Sequence, residues 1–189
     1  LSHSVLMNVD NIFLSNAKMA LANMVEKDID VGVPDININN GSILIISCLT
    51  ALEAYVNKIY ISQTNITCYD QLKFEGKLKT LHNMNSKEID WGQDPYQTVR
   101  ELISIRNWLV HFKDSFLGKF NPITFRIVNK EGKSIPVTKD PFEIFTKERC
   151  LRYYNETKSV MLDLAHLTNL DIYDYEFITT ENFDFFTIG

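Results

Sequence analysis

Hydrophobic positions along the chain recur mostly at helical spacing. From Ser4 to about Lys27, Leu6, Val9, Ile12, Phe13, Ala17, Ala20 and Met24 fall in a helical rhythm and predict a first helix. "DIDVGVPDININNGS" reads as a loop, with Gly32 and Pro34 as breakers and Asn40-Gly41-Ser42 leading into the next element. Ser42 to about Ser62 is apolar almost all round, which marks a central helix. A shorter helix is predicted from Leu72 to about Met84 after the connector "NITCYDQ". A fourth runs from Pro95 to about Phe116, with Asp94 expected as its cap and Pro95 in its first turn.

Between Gly118 and Asp140 the helical rhythm stops. Two β-prone runs flank a Gly-containing turn in "TFRIV-NKEGK-SIPVT", which predicts a hairpin insertion near residues 123–138. Helical spacing returns from Phe142 to about Thr168. Asp171 to Gly189 alternates acids with aromatics and suits extended structure. The expected fold is mainly α: an up-and-down bundle of about five helices with a small β excursion. The length of 189 residues suits one domain spanning 1–189. Its parts are an N-terminal helix (1–30), a core (40–117), the insertion (118–140), a final helix (142–168) and the tail (169–189).

Composition refines this picture. Only 7 glycines and 5 prolines interrupt the chain, which favours long helices over many tight turns. No apolar run reaches the roughly 20 residues that span a bilayer. The longest, "SILIISCLTALEAYV", is interrupted by Ser47, Thr50 and Glu53 and reads as buried helix. The start "LSHSVLMNVD" lacks the pattern of a signal peptide. Three widely spaced cysteines (Cys48, Cys68 and Cys150) without a CxxC argue against a disulfide scaffold or a cysteine zinc site. Cys48 is expected in the core, and a reducing cytoplasm is the expected compartment.

Net charge is −5, but it is unevenly spread. Residues 1–99 carry 7 basic against 11 acidic side chains, residues 100–158 carry 12 against 7, and residues 159–189 carry 0 against 6. A locally basic surface able to meet phosphates therefore sits in an acidic chain. Uneven solvated faces account for the same numbers.

The basic region contains "SIRNWLVHFK", Ser104 to Lys113, an apolar helix holding an arginine, an asparagine and a histidine. At 100° per residue, Val99, Leu102, Ile103, Leu109, Val110 and Leu117 fall within about 60° of Arg106, which places Arg106 in the middle of the apolar arc. Arg100, Ser104, Asn107 and His111 form one polar stripe. Trp108, Ile105 and Phe112 occupy a second apolar arc, expected against another helix or a dimer contact. A guanidinium in such an arc needs an acceptor. Glu53, in the apolar second helix, is the candidate, and an Arg106–Glu53 ion pair is the structural reading of both residues. The chemical reading starts from Arg106 and His111 flanking one groove. Histidine moves protons near neutral pH, and arginine binds phosphate oxygens bidentately. Those are the two tasks in cleaving RNA by its own 2′-OH.

"IRNWLVH", Ile105 to His111, resembles the Arg-X4–6-His motif of HEPN domains (higher eukaryotes and prokaryotes nucleotide-binding), in which the residue after the arginine is commonly polar, as Asn107 is. "SCLTALEAYVNKIY" and "FEGKLKTL" look like that family's second helix and the helix after it. The resemblance covers roughly residues 40–117 and the final helix. The long first helix, the insertion and the tail depart from a minimal HEPN domain. The resemblance implies a helical bundle that dimerises with two motifs across a shared cleft. It implies a metal-independent endoribonuclease of toxin or defence type, leaving a 2′,3′-cyclic phosphate, or a silent interaction module. On it, His111 is the general acid or base, Arg106 the phosphate ligand and Asn107 an orienting group, with Arg100, Ser104 and Lys113 as further RNA contacts. It calls for no metal and no cofactor. The partners it implies are a second copy, RNA and an antitoxin or other protein, without a membrane.

His3, His82 and His166 are isolated in sequence from other ligand-type residues. No phosphate loop or G-x-S-x-G nucleophile is present. The aromatic clusters "RYYNE" and "NFDFF" read as packing. The acidic tail either packs beside the hairpin, covers the basic surface or docks a partner.

Overall fold

A computed structural model of the chain describes residues 9–26, 34–64, 72–110, 123–128 and 132–169. Among them are α1 (Val9–Ala22), α2 (Pro34–Thr64), α3 (Phe74–Met84), α4 (Tyr96–Val110), β1 (Ile123–Val128), β2 (Ser134–Lys139), α5 (Pro141–Ile144) and α6 (Lys147–Leu167). The fold is mainly helical, with a hairpin inserted before the last helices, as the sequence pattern leads one to expect. The tail beyond Asn169 and the first eight residues lie outside the described residues.

Helix α2 is the hub. It is 31 residues long and touches α1, α3, α4, α5 and α6. Leu44, Ile45, Cys48, Ala51, Leu52, Tyr55, Val56 and Ile59 are fully buried along it. The helix starts at Pro34, not Ser42. Proline suits a first helical turn, where its missing N–H leaves no bond unmade. The Asn40-Gly41-Ser42 run is therefore helix and not loop. Asn37 and Asn40 are held by the chain that follows α1, which offsets their usual preference for turns. Asn37 Oδ1 accepts from Val25 N (3.0 Å) and its Nδ2 donates to Val25 O (3.1 Å). Asn40 Nδ2 donates to Asn23 O at 3.3 Å. Once extended, the stretch Ile36–Thr64 is long and apolar enough to cross a bilayer, contrary to the reading of the shorter run. More than half of its most apolar window (56%) is buried among the other helices, the signature of a core helix.

Helix α1 buries Leu14, Ala17, Ala20 and Leu21, while Val9 and Ile12 are exposed. Ala17, Ala20 and Met24 of the predicted rhythm face inward, joined by Leu14 and Leu21. The last predicted helix is broken in two. Thr146 interrupts it, and its Oγ1 accepts from Arg149 N to cap α6. Asp94 does not cap α4 either, because its carboxylate is already engaged. It accepts from Thr98 Oγ1 (2.7 Å) and from Arg152 Nη2 of α6 (3.0 and 3.2 Å). The peptide between Asp94 and Pro95 is cis.

The antiparallel strands pair Ile123 with Lys139 through to Val128 with Ser134. Gly132, with φ of +77°, serves the connecting turn, where a side chain would be strained. Strand β1 lies on α4, and Ile123 is fully buried there. The hairpin therefore flanks the helix that carries Arg106 and Asn107.

Gly41 of α2 packs closely on Phe145, just before α6, and on Cys150 of α6. A Cβ at this position would stand 2.6 Å from Phe145 Cδ1, 3.2 Å from Phe145 Cβ and 3.3 Å from Cys150 Sγ. Phe145 is itself buried and has little room to turn. Gly41→Ala is expected to destabilise the protein by about 1–3 kcal/mol through overpacking, despite a gain of roughly 1 kcal/mol in helix propensity. Urea denaturation of the two proteins measures the sign. A more stable alanine variant would show that Phe145 yields.

Candidate functional site

The site begins with how α4 is turned. Val99, Leu102 and Ile105 are fully buried, as are Thr98 and Glu101 apart from a few per cent. The midpoint of Thr98, Leu102 and Ile105 lies roughly 70° round the helix from Arg106. Arg106 is therefore at the edge of the buried arc and not in its middle. Val110, expected inside, is 62% exposed. Ile105, expected on a separate arc, is in the central core, and Trp108 packs against that core. Packing against α2 and α6 decides the face, and Leu102 and Ile105 are fully buried on it.

At that edge, Arg106 Nη2 donates to Glu53 Oε1 across 3.3 Å. The pair expected from the sequence is present, but neither side chain is buried: each is 36% exposed. Arg106 Nε is buried and has no hydrogen-bond partner among the described residues. Asn107, next along, is exposed. Ser104 is half-buried, and its hydroxyl donates to Arg100 O on its own helix (2.9 Å). The Arg100 guanidinium lies over the Trp91 ring, 5.8 Å from its centre. Arg106 and Glu53 thus come together, with Asn107 next along the helix, while Arg100 and Ser104 are engaged elsewhere on it. His111 and Lys113 lie outside the described residues.

Two further polar groupings escape the sequence reading. The first is buried between α4 and α6. Arg149 donates from Nε to Tyr153 Oη (2.9 Å) and from Nη2 to Glu101 Oε2 (3.3 Å), and Tyr153 Oη donates to Glu101 Oε2 (3.4 Å). Burial, joined by the Glu101 charge, raises the Tyr153 phenol above its ordinary value, so it remains a donor. The signal for this grouping was the spacing of four between Arg149 and Tyr153. Glu101 was hidden because the apolar arc of α4 was centred on the wrong residue.

The second grouping surrounds His82, which is isolated in sequence but not in space. His82 is buried, its Nδ1 lies 2.9 Å from Leu78 O and its Nε2 lies 2.7 Å from Tyr96 Oη. Tyr96 Oη donates to Asp163 Oδ2. Trp91 meets the Tyr96 ring edge-on. His82, Tyr96 and Asp163 come from α3, α4 and α6, so no local spacing announces them. His166 is exposed, and His3 lies outside the described residues.

The described cysteines, Cys48 and Cys150, are free and buried, as expected for Cys48. Burial pushes both thiols up to about 12, which leaves them unreactive. Cys68 lies outside the described residues. Among the described residues, no group of three His, Cys, Asp or Glu side chains is placed to hold a metal ion.

No family model, curated protein or solved structure matches the chain.

The two arginine–glutamate pairs differ in burial, and their variants should differ accordingly. Glu101→Ala strands Arg149 and Tyr153 and is expected to cost about 2–3 kcal/mol. Glu53→Ala removes a solvent-exposed pair and is expected to cost less than about 1 kcal/mol. Denaturant midpoints of both variants check the ordering, and equal losses would contradict it.

Proposed function

We propose that the chain is a HEPN-like, metal-independent endoribonuclease of toxin or defence type, working in the cytoplasm as a homodimer with a composite cleft. The observation that supports this most is the state of Arg106. Glu53 of α2 steadies its guanidinium at the edge of the buried face, yet a third of the side chain still reaches solvent beside the exposed Asn107. An arginine so held offers a fixed positive charge to a phosphate without being consumed by the core.

In the reaction, the ribose 2′-oxygen attacks the adjacent phosphorus as its proton leaves to a base. The new O–P bond closes the 2′,3′-cyclic phosphate, the bond to the 5′-oxygen breaks, and that oxygen takes up a proton. His111 carries one of these protons as general acid or base. Arg106 neutralises charge on the phosphate oxygens as five ligands gather round phosphorus. Asn107 orients the backbone, with Arg100, Ser104 and Lys113 along the RNA path.

The Arg106–Glu53 pair also favours a second reading, a catalytically silent HEPN-like module that binds a protein partner or a nucleotide. There the pair is purely structural, joining α2 to α4.

Purified protein incubated with mixed single-stranded RNA in EDTA separates the readings. The wild type is expected to leave 2′,3′-cyclic phosphate ends. His111→Ala and Arg106→Ala are each expected to lose roughly a hundredfold or more of the rate. Cleavage that persists unchanged in His111→Ala would end the nuclease assignment. A stable dimer with no cleavage by any variant favours the interaction module.

A further inference from the structure

The large apolar side chains that reach solvent are gathered mainly on the first two helices. Val9, Ile12 and Met19 of α1 and Ile36, Ile43 and Ile46 of α2 are between 39% and 65% exposed. The others among the described residues, Leu72, Met84, Val110 and Ile135, stand singly on or beside α3, α4 and β2. Spacing makes each helical set a stripe. On α1 the exposed Asn16 completes steps of three and four from Val9 to Met19. On α2 the exposed Asn39 and half-buried Thr50 do the same from Ile36 onward. That is the heptad rhythm by which one helix interlocks with another.

Both stripes lie on one side of the α1–α2 pair. On α2, Gly41 faces Phe145 and Cys150 at the start of α6, and the Asn40 amide reaches Asn23 O just past α1. With Ile43 at 0°, Gly41 stands at about 160°, Asn40 at about 60°, and Ile36, Ile46 and Thr50 from about −60° to +20°. Helix α1 therefore stands between α6 and this stripe. On α1, Lys18 marks the α6 side: burial, and then the Lys18 charge, lowers the Lys158 ammonium of α6 below its ordinary value. Val9, Ile12, Asn16 and Met19 stand about 100–180° round from Lys18. The two stripes thus adjoin on the face turned from α6, roughly 25 Å long and two helices, about 20 Å, wide. Side-chain relief brings such a face to the scale of the roughly 800 Å² per partner that stable dimers bury, and an apolar patch of that extent marks an interaction site.

The charge of the face selects its occupant. Neither stripe holds a formal charge before Glu26 and Glu53 at its end. A charged partner finds no counter-charge there, and the stripes lack the lysines and arginines that draw an apolar helix face to an anionic membrane. Two copies of a chain of net charge −5 repel one another, least where the facing surfaces are neutral. A neutral apolar stripe is complementary to itself about a two-fold axis. The amides of Asn16 and Asn39 both donate and accept, so they suit the same residues on a copy. We propose that a second copy of this chain covers this face, α1 and α2 of one protomer packing on α1 and α2 of the other. Glu53, the partner of Arg106, is the next heptad position after Thr50, so Arg106 stands at the rim of the contact. The inference names the contact surface of the proposed homodimer and in that respect rests on that reading.

Sedimentation equilibrium of the full chain tests the surface. The wild type is expected to be a dimer. Ile43→Lys combined with Ile46→Lys puts like charges on both sides of the contact and is expected to raise the dimer dissociation constant about a hundredfold or more, while Leu72→Lys leaves it unchanged. Both substituted positions already reach solvent, so helical circular dichroism is expected to be kept. A second readout needs no variant. In the single chain Met19 is 65% exposed and Met84 50%. In the wild-type dimer Met19 is expected to be oxidised by peroxide more slowly than Met84, and dilution to monomer is expected to reverse the order. A dimer that persists in the double variant, with Met19 as reactive as Met84, would overturn this surface and leave the homodimer reading standing. A monomeric wild type would overturn both, and if it cleaves RNA the nuclease chemistry survives without them. Monomers that bind phosphatidylcholine vesicles would assign the face to lipid and overturn the proposal.

Discussion

The architecture depends on covering α2. A helix apolar on nearly all sides cannot rest against a single neighbour, because each uncovered face leaves hydrocarbon in water at a cost of roughly 25 cal/mol per Å². Leu44, Leu52, Tyr55 and Ile59 are fully buried, and α1, α3, α4, α5 and α6 all reach this helix. Its polar groups are handled locally. Thr50 Oγ1 returns its hydrogen to Ile46 O (2.8 Å), and Glu53 turns to Arg106 at the rim. Gly41 removes a side chain where the approach is too close for one.

Polar contacts then determine how the covering helices sit. Apolar surface rewards burial in almost any orientation, whereas hydrogen bonds have direction. Glu101, Arg149 and Tyr153 join α4 to α6, and Asp94 adds a second joint through Arg152. His82, Tyr96 and Asp163 tie α3 to both. Lys77 Nζ reaches Asn57 Oδ1 at 2.7 Å, which fastens α3 to α2. The same joints fix the rotation of α4, and that rotation brings Arg106 to the edge of the core. A guanidinium in the centre of the buried arc would serve structure alone. At the edge it keeps both a carboxylate partner and access to solvent, the condition on which the proposed phosphate chemistry rests.

The hairpin adds a neighbour to this region. Strand β1 lies against α4, with Ile123 in the core, and Arg126 spans the ladder to bond Ser134 through Nε and Nη2 (2.9 and 3.0 Å). The insertion, legible in the sequence as a hairpin, thus packs on the helix that carries Arg106 and Asn107.

Helix type and order, the hairpin with its glycine turn, and the central place of the second helix were legible in the sequence. Each depends on short-range periodicity and turn chemistry, which a linear pattern records. Glu53 was legible as the partner of Arg106 because it is the lone carboxylate in the run "SILIISCLTALEAYV". The inward face of α4 was not, and that of α1 only in part. Leu14 rather than Ile12, and Ile105 rather than Val110, are buried by what neighbours present, and an amphipathic pattern with apolar residues on several sides leaves that choice open. The joints Glu101–Arg149 and His82–Tyr96–Asp163 link residues 48, 14 and 67 positions apart. Only the folded chain brings such groups into hydrogen-bond range, so tertiary structure decided which charges are buried, which are paired and which face water.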